Sequence, residues 1–502
     1  MAFSVTLAML CVLVLALAVP AVAVERGVVG VYADNPRYLA MDGEAVFAIG
    51  ATHRHSWAPI SRPNEFELHQ DLDRLDAMVR RVGDARVRGF VRLVPYDPLN
   101  HHHDGPVERV LQPWHRLADG RFDLERFEPE WEQRLRAFLD AAHERRIIVS
   151  LELWDDWSIT RGEGGAADPG PGLGFNGHAF NPNNNVNYDA DVLPATTSAC
   201  VAPFYRTLPE HDDIPAVLAL QQRYADHLID IAGGYPNVIW NVANESRAPL
   251  AWSRYWAEYL AARLPQRRLI GDMPSTNRRD GRGECDAELN PATLAVDDRY
   301  GYVDIAQAVS RHEFGGDVIG QAIDGAGRIR QYQQAMAERG RVKPLVVSKD
   351  YTNTGDEAIT VLWSRFTGGA ATARFHRPFG RVDFQAIPEF QYAAAERLAQ
   401  FVAGVGFKRM QPMPELIASE HEHINVLGDE GREYVVHLVG RRDATRLGLH
   451  LPAGRWRLSW HQPHADEPAV PEEQVIDAEE GATTSIDVPG HAHGLVMHLV
   501  DH

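Results

Sequence analysis

The sequence predicts an α/β protein: a (β/α)8 TIM barrel followed by a small all-β sandwich domain. Three observations lead there. Between residues 46 and 404, short apolar runs alternate eight times with segments of helical spacing, the pattern of a parallel sheet with right-handed crossovers. After Pro412-Met413-Pro414 the period shortens to two, and Gly and Pro punctuate the chain. A length of 502 residues suits a barrel of about 250 residues with insertions plus one smaller module. The boundaries fall at 24–410 for the barrel with an N-terminal hairpin and at 411–502 for the sandwich.

Composition sets the class of partner. Apolar residues make up 45% of the chain and charged residues 24%, ordinary values for a globular protein with a large core. A net charge of −19 argues against nucleic acid and against anionic membrane surfaces, so an uncharged ligand is the easy fit. Residues 2–24 carry no charge and end in Ala21-Val22-Ala23, a small-x-small pattern that reads as a signal peptide over residues 1–23 and an exported protein. The n-region lacks Lys and Arg, and the same run is long enough to serve as an uncleaved membrane anchor. Cys11 falls inside that run. Cys200 and Cys285 sit in long loops after strands three and five; export permits a disulfide between them, and two free thiols are the alternative.

The elements follow in order. Residues 28–47 read as short strands turning at Met41-Asp42-Gly43-Glu44, a hairpin that closes the barrel floor. Strand one is 46–50 and runs into Ala51-Thr52-His53-Arg54-His55-Ser56-Trp57. Helix one covers 65–82, with Leu68, Leu72, Leu75 and Val79 on one face. Strand two is 87–94 and delivers Arg92 near its end; helix two lies within 129–145. Strand three, 147–153, ends in Trp154-Asp155-Asp156-Trp157. The loop 158–214 is far longer than a crossover needs, and long loops at the carboxyl ends of barrel strands shape substrate sites. Helix three is 216–233 and helix four 251–264. Strand five is 268–272, and strand six is 303–308, followed by Ser310-Arg311-His312-Glu313-Phe314. Helix six is 326–339; strand seven, 344–348, leads into Lys349-Asp350-Tyr351. Helix seven is 358–368, strand eight 370–375 ahead of His376-Arg377-Pro378, and helix eight 390–404. Alternating strands at 434–439, 445–451, 455–460 and 495–499 make the last module.

Strand four is the most informative stretch. Pro236-Asn237-Val238-Ile239-Trp240-Asn241-Val242-Ala243 is an apolar run broken by Asn244-Glu245-Ser246, a buried strand that ends by pushing an amide and a carboxylate into a polar cavity. A strand-end Asn-Glu that only caps the next helix is the plainer alternative. The tandem Asn-Glu resembles the strand-four signature of clan A glycoside hydrolases, the family 5-like and apiosidase-like (β/α)8 barrels. That resemblance covers residues 28–406 and implies an enzyme that hydrolyses O-glycosidic bonds in a poly- or oligosaccharide, secreted if the N-terminal segment is a signal peptide; nothing in the sequence calls for a cofactor or metal. Glu245 would be the acid/base and Asn244 the amide that holds the sugar 2-hydroxyl. The segment 178–188, with its Asn181, Asn183, Asn184, Asn185 and Asn187, is similar to a segment of bacterial barrels of this clan; amides bond hydroxyls in both directions and ring faces stack on C–H surfaces. Asn185 is thus a candidate sugar contact, with an Asn-rich turn as the alternative. The last module resembles the β-domains that often follow such barrels, some with a collagen-binding-type label.

By position, Arg92 orients the catalytic carboxylates or makes a structural ion pair. His312 and His376 reach substrate hydroxyls or line the rim. Trp57, Trp154 and Trp157 are candidate stacking platforms, and Trp363, inside a helix, is core.

The pattern breaks at strand seven. Retaining glycosidases need two carboxyl groups about 5–5.5 Å apart. In clan A the second is a Glu at the end of strand seven; Lys343-Pro344-Leu345-Val346-Val347-Ser348-Lys349-Asp350 puts Lys349 at that position. Three readings stay open. Asp350 takes the role, and its shorter side chain widens the gap toward the roughly 6.5–9.5 Å of inverting enzymes. Another acid serves: Glu313, Asp155, Asp156, Asp356 or Glu357. Or the site binds sugar without cleaving it, with Lys349 among the contacts and neutralising Glu245, the wrong direction for a general acid. A different class is the metal-dependent amidohydrolase barrel, which His53-x-His55 after strand one resembles; that family expects further ligands where this chain has Asn244-Glu245, Asp272 and His376.

Overall fold

The computed structural model describes residues 26–51, 58–63, 67–96, 110–160, 174–194, 202–265, 268–275, 288–309, 318–350, 357–375, 389–418, 423–464 and 470–502. Eight strands alternate with eight helices: β1 (Glu44–Ala51), α1 (Gln70–Val82), β2 (Val87–Leu93), α2 (Pro129–Glu144), β3 (Ile148–Asp155), α3 (Pro215–Ala232), β4 (Val238–Asn244), α4 (Leu250–Arg263), β5 (Ile270–Gly271), α5 (Pro291–Val296), β6 (Val303–Asp304), α6 (Val318–Glu338), β7 (Leu345–Val346), α7 (Glu357–Thr367), β8 (Thr372–Phe375) and α8 (Glu389–Gly404). Local chemistry sets the ends. Helices α2, α3 and α5 start on Pro, whose missing N–H is an orphan at that position anyway. Helix α1 buries Leu72, Leu75 and Met78 and stops at Gly83, whose φ of 70° suits a left-handed cap.

The strands pair in parallel in the order β8-β1-β2-β3-β4-β5, with β6-β7 as a separate pair. Register brings Arg92 of β2 opposite Ser150 of β3, and Asp155 of β3 opposite Asn244 of β4. Where the regular ladder stops, single backbone bonds continue it. Gly301 N donates to Ile270 O at 2.8 Å and Asp304 N to Asp272 O at 3.1 Å, between β5 and β6. Ala371 N donates to Leu345 O at 2.8 Å and Asp350 N to Arg374 O at 3.1 Å, between β7 and β8. One apolar core takes Ala48, Phe90, Ile148, Ile239, Leu269, Tyr302, Val346 and Ala371, one residue from each strand or its entry. The N-terminal hairpin, Val29–Val31 with Leu39–Met41, adds Val29, Leu39 and Met41 to that core. Leu39–Met41 also pairs with the start of β1, Met41 opposite Glu44, through a turn with Asp42 at φ 56° and Gly43 at φ 86°, the two left-handed residues of a tight hairpin.

Two details differ from the expected pattern. Beyond Asp304 the chain turns into a helical turn, Ala306–Val309, instead of continuing as strand, because the Asp304 carboxylate accepts from Ala306 N at 3.0 Å. Between β2 and α2 an antiparallel ribbon, Trp114–Arg116 with Phe122–Phe127, fills a stretch the periodicity leaves blank.

The C-terminal strands are β9 (Gln411–Pro412), β10 (Ile424–Asp429), β11 (Glu433–Val439), β12 (Thr445–Leu449), β13 (Gly454–His461), β14 (Gln474–Ala478), β15 (Thr484–Val488) and β16 (Gly494–Asp501). A six-stranded antiparallel sheet has the order β9-β10-β11-β16-β13-β14, and β12 pairs with β15. Leu447, Leu449, Ile486 and Val488 of the ribbon share a core with Val436, Leu458 and Met497 of the sheet. The opposite sheet face packs on the helices: Thr367 of α7 meets His437 at 3.2 Å, and Arg330 of α6 donates to Asn425 at 2.8 Å.

Candidate active site

Strand β4 is buried along its whole length, and its apolar residues hold its carboxyl end in place. The chain leaves it through Glu245 at φ 50°, a left-handed conformation that costs a non-glycine residue about 1–2 kcal/mol and collects at functional sites. Ser246 N then donates to Met273 O at 2.7 Å, fixing the exit. Glu245 keeps 13% of its side chain accessible, whereas its partner Lys349 keeps 1%.

Lys349, after β7, donates to Asn244 Oδ1 at 2.7 Å and pairs with the Glu245 carboxylate. On its other side the Asn244 amide donates to Asp155 at the end of β3. Asp155 Oδ2 also accepts from Ser158 N at 3.1 Å. The Asp155 and Glu245 carboxyl groups are therefore linked in a chain of contacts, Asp155 to the Asn244 amide, the amide to the Lys349 ammonium and the ammonium to Glu245. Burial pushes the Asp155 carboxyl up to about 6, and the nearby Glu245 charge adds to that. Burial also pulls Lys349 down to about 8, against the attraction of Glu245. That attraction is mutual and favours the ionised form of Glu245. Beneath this layer Arg92 holds Glu152 of β3 through both carboxylate oxygens, at 2.7 Å for Nη2 to Oε2. Glu152 is fully buried, and burial lifts its carboxyl to about 7 despite Arg92.

Asn244, Glu245, Lys349 and Arg92 thus come together, Arg92 as a buried ion pair. The other expected residues are placed differently. Asp350 does not supply the second carboxylate beside Glu245: it is 1% exposed and accepts from Arg365 of α7 at 2.8 Å, among the helices. Trp154 is no stacking platform, being fully buried against Tyr224, Phe204 and Trp256 with ring centroids 4.9, 5.0 and 5.4 Å away. Asn185 folds its own loop, donating to Asn181 O at 2.9 Å and accepting from Asn187 N at 3.0 Å, the asparagine-turn alternative. Trp363 is core as expected. Trp57, His53, His55, Cys200, Cys285, His312, Glu313, Asp356, His376 and residues 1–23 lie outside the described residues. Among the described residues no helix is long and apolar enough to cross a membrane.

Glu152 was not singled out from the sequence. A lone charge in Ile148-Val149-Ser150-Leu151-Glu152-Leu153 is the signal, because burying a carboxylate is costly unless a partner compensates it.

No protein-family model matches the chain, and no curated protein matches it. Solved structures do. One described as a glycoside hydrolase superposes with a TM-score of 0.56 at 11% identity, covering 95% of this chain and 97% of that one. A glycoside hydrolase family 5 structure from Bacteroides vulgatus gives 0.57 at 11% identity, covering 95% and 94%. An endo-β-1,4-mannanase from Thermotoga petrophila covers 89% of this chain at 13% identity with a TM-score of 0.45. The structural neighbours are thus glycoside hydrolase family 5 folds over most of the chain, and likeness at this identity concerns the fold alone.

Proposed function

We propose that this chain is an exported glycoside hydrolase whose eight parallel strands close as a (β/α)8 barrel over residues 24–410, with a β-sandwich at 411–502. The observation that carries the reading is the chain of contacts between two carboxyl groups at the carboxyl ends of β3 and β4, from Asp155 to Asn244, Asn244 to Lys349 and Lys349 to Glu245. Active sites of such barrels sit at that end. The two environments push the groups apart: Asp155 is raised by burial and Glu245 is favoured as an anion by Lys349. Asp155 then protonates the leaving glycosidic oxygen and Glu245 takes a proton from the attacking water. With Lys349 where clan A barrels keep a nucleophilic Glu, water attacks the anomeric carbon directly and the anomeric configuration inverts. The Arg92–Glu152 pair below fixes the floor on which Asp155 stands.

A second reading, a carbohydrate-binding protein without hydrolysis, is favoured by the same ion pair, since a neutralised Glu245 also serves simply to bind hydroxyls. The test is a panel of polysaccharides and aryl glycosides with the product anomer followed by NMR. Hydrolysis with inversion supports the proposal, retention removes the Asp155 and Glu245 assignment, and saturable binding without turnover favours the second reading. Export predicts a mature protein beginning at Val24.

A further inference from the structure

A second polar cleft opens away from Glu245. Helix α8 runs back from the carboxyl end of β8, so its C-terminal half lies toward the opposite end of the strands from Asn244 and Glu245. There the six-stranded sheet diverges from α8 and leaves a cleft of about 660 Å³ between them, within the roughly 300–1,000 Å³ of small-ligand sites. Arg397, Gln400 and Phe401 line it from the helix, and Arg457, Ser459 and His461 line it from β13.

The chemistry of these walls is mixed in sign and direction. Burial pulls His461 down to about 4, so at neutral pH its ring is uncharged and offers one donor and one acceptor. Its Nε2 meets Ser459 Oγ at 3.2 Å, and the ring stands edge-on to Phe401 with centroids 4.8 Å apart. Arg457 lies 3.8 Å from Glu473, so that pair brings no net charge. Amide, hydroxyl, neutral imidazole and guanidinium groups around an aromatic floor bond hydroxyls in both directions and leave a face for C–H packing. Beside the cleft, Val435 and Val496 of the sheet merge into the main core with Phe401.

We propose that this cleft binds a saccharide chain at a second site, which rests on the carbohydrate reading above. The site holds a polymer while the strand ends act on it, so apparent affinity for long chains exceeds that for short ones. The test is affinity electrophoresis through gels holding glucomannan, xylan, mixed-linkage glucan or polygalacturonate. Wild type and Glu245→Gln protein are compared with a triple variant, Arg397→Ala, Gln400→Ala and Arg457→Ala, all at partly or fully exposed positions. The expected result is retardation of the first two by at least one polysaccharide, weakened tenfold or more in the triple variant, with turnover of small aryl glycosides unchanged. No retardation of wild type, or equal retardation of the triple variant, overturns the inference. Hydrolysis of aryl glycosides with equal retardation defeats this inference alone. Loss of retardation in the triple variant, in a protein that hydrolyses nothing, defeats the hydrolytic reading alone.

Discussion

Asp155→Asn isolates the proposed proton donor. Burial holds this carboxyl up to about 6, so roughly nine-tenths of it is protonated at pH 5 and about one-tenth at pH 7. The wild-type kcat/KM should fall about tenfold over that interval. A positioned general acid contributes about 10²–10⁴-fold, and only where the leaving group needs the proton. Asp155→Asn should therefore lose about 10²–10⁴ on alkyl or disaccharide substrates, lose little on a 2,4-dinitrophenyl glycoside, and shed the alkaline limb of its pH profile. The structural cost is separate: Asp155 accepts from both Asn244 and Ser158, and Asn can keep one of these bonds. Setting an amide N–H against the other donor costs about 1–3 kcal/mol, visible as a lower Tm. Steady-state kinetics across a leaving-group series decides. An equal loss on every leaving group, with the alkaline limb retained, refutes the assignment.

Asp272→Asn tests burial without touching the proposed chemistry. Its carboxyl, raised to about 7 by burial, accepts from Ala243 N and Met273 N. A raised carboxyl contributes stability that is present below its unfolded value near 4 and lost as pH rises through about 7. Asn mimics the protonated form, so urea denaturation at pH 4, 6 and 8 should show a flatter dependence and, at pH 8, a variant at least as stable as wild type, by up to about 4 kcal/mol. Asp350→Asn should act on stability: breaking its buried pair with Arg365 costs about 3–5 kcal/mol, with no leaving-group dependence in the kinetics. Lys349→Met removes the cation beside Glu245, which makes ionisation of the base harder. The acidic side of its pH profile on a dinitrophenyl glycoside should move upward; an unchanged acidic limb contradicts that role for Lys349.

The repeating order of strand and helix was legible because each element has a strong period: Leu72 and Leu75 are buried where the helical spacing puts them, and β4 is buried throughout. The hairpin turn was legible from Asp42-Gly43, a pair that accepts positive φ. Of the residues singled out for the site, Asn244, Glu245, Arg92 and Lys349 lie together, while Asp350 turns away. Adjacent residues after β7 reach different partners, Lys349 to Asn244 and Glu245 and Asp350 to Arg365, and side-chain direction at an irregular strand end is set by tertiary partners that sequence order does not reveal. Trp154 and Asn185 misled for a related reason. An aromatic or an amide near a strand end serves the core or its own loop as readily as a sugar, and burial decides which. In the 114–127 ribbon, Trp114–Arg116 has only 3 residues, too few for a period to register, and its partner strand Phe122–Phe127 lacks a regular alternation, with Glu125 and Arg126 adjacent.

The proposed role of the Glu245 carboxylate is chemistry at the end of β4. Its most direct test is the hydrolysis rate of Glu245→Gln against wild type, on the aryl glycoside that wild type turns over fastest, with circular dichroism establishing the fold. The expected result is a loss of about 10³-fold or more in kcat, since removing the base leaves binding and positioning alone. A folded Glu245→Gln protein that hydrolyses the glycoside at the wild-type rate contradicts it.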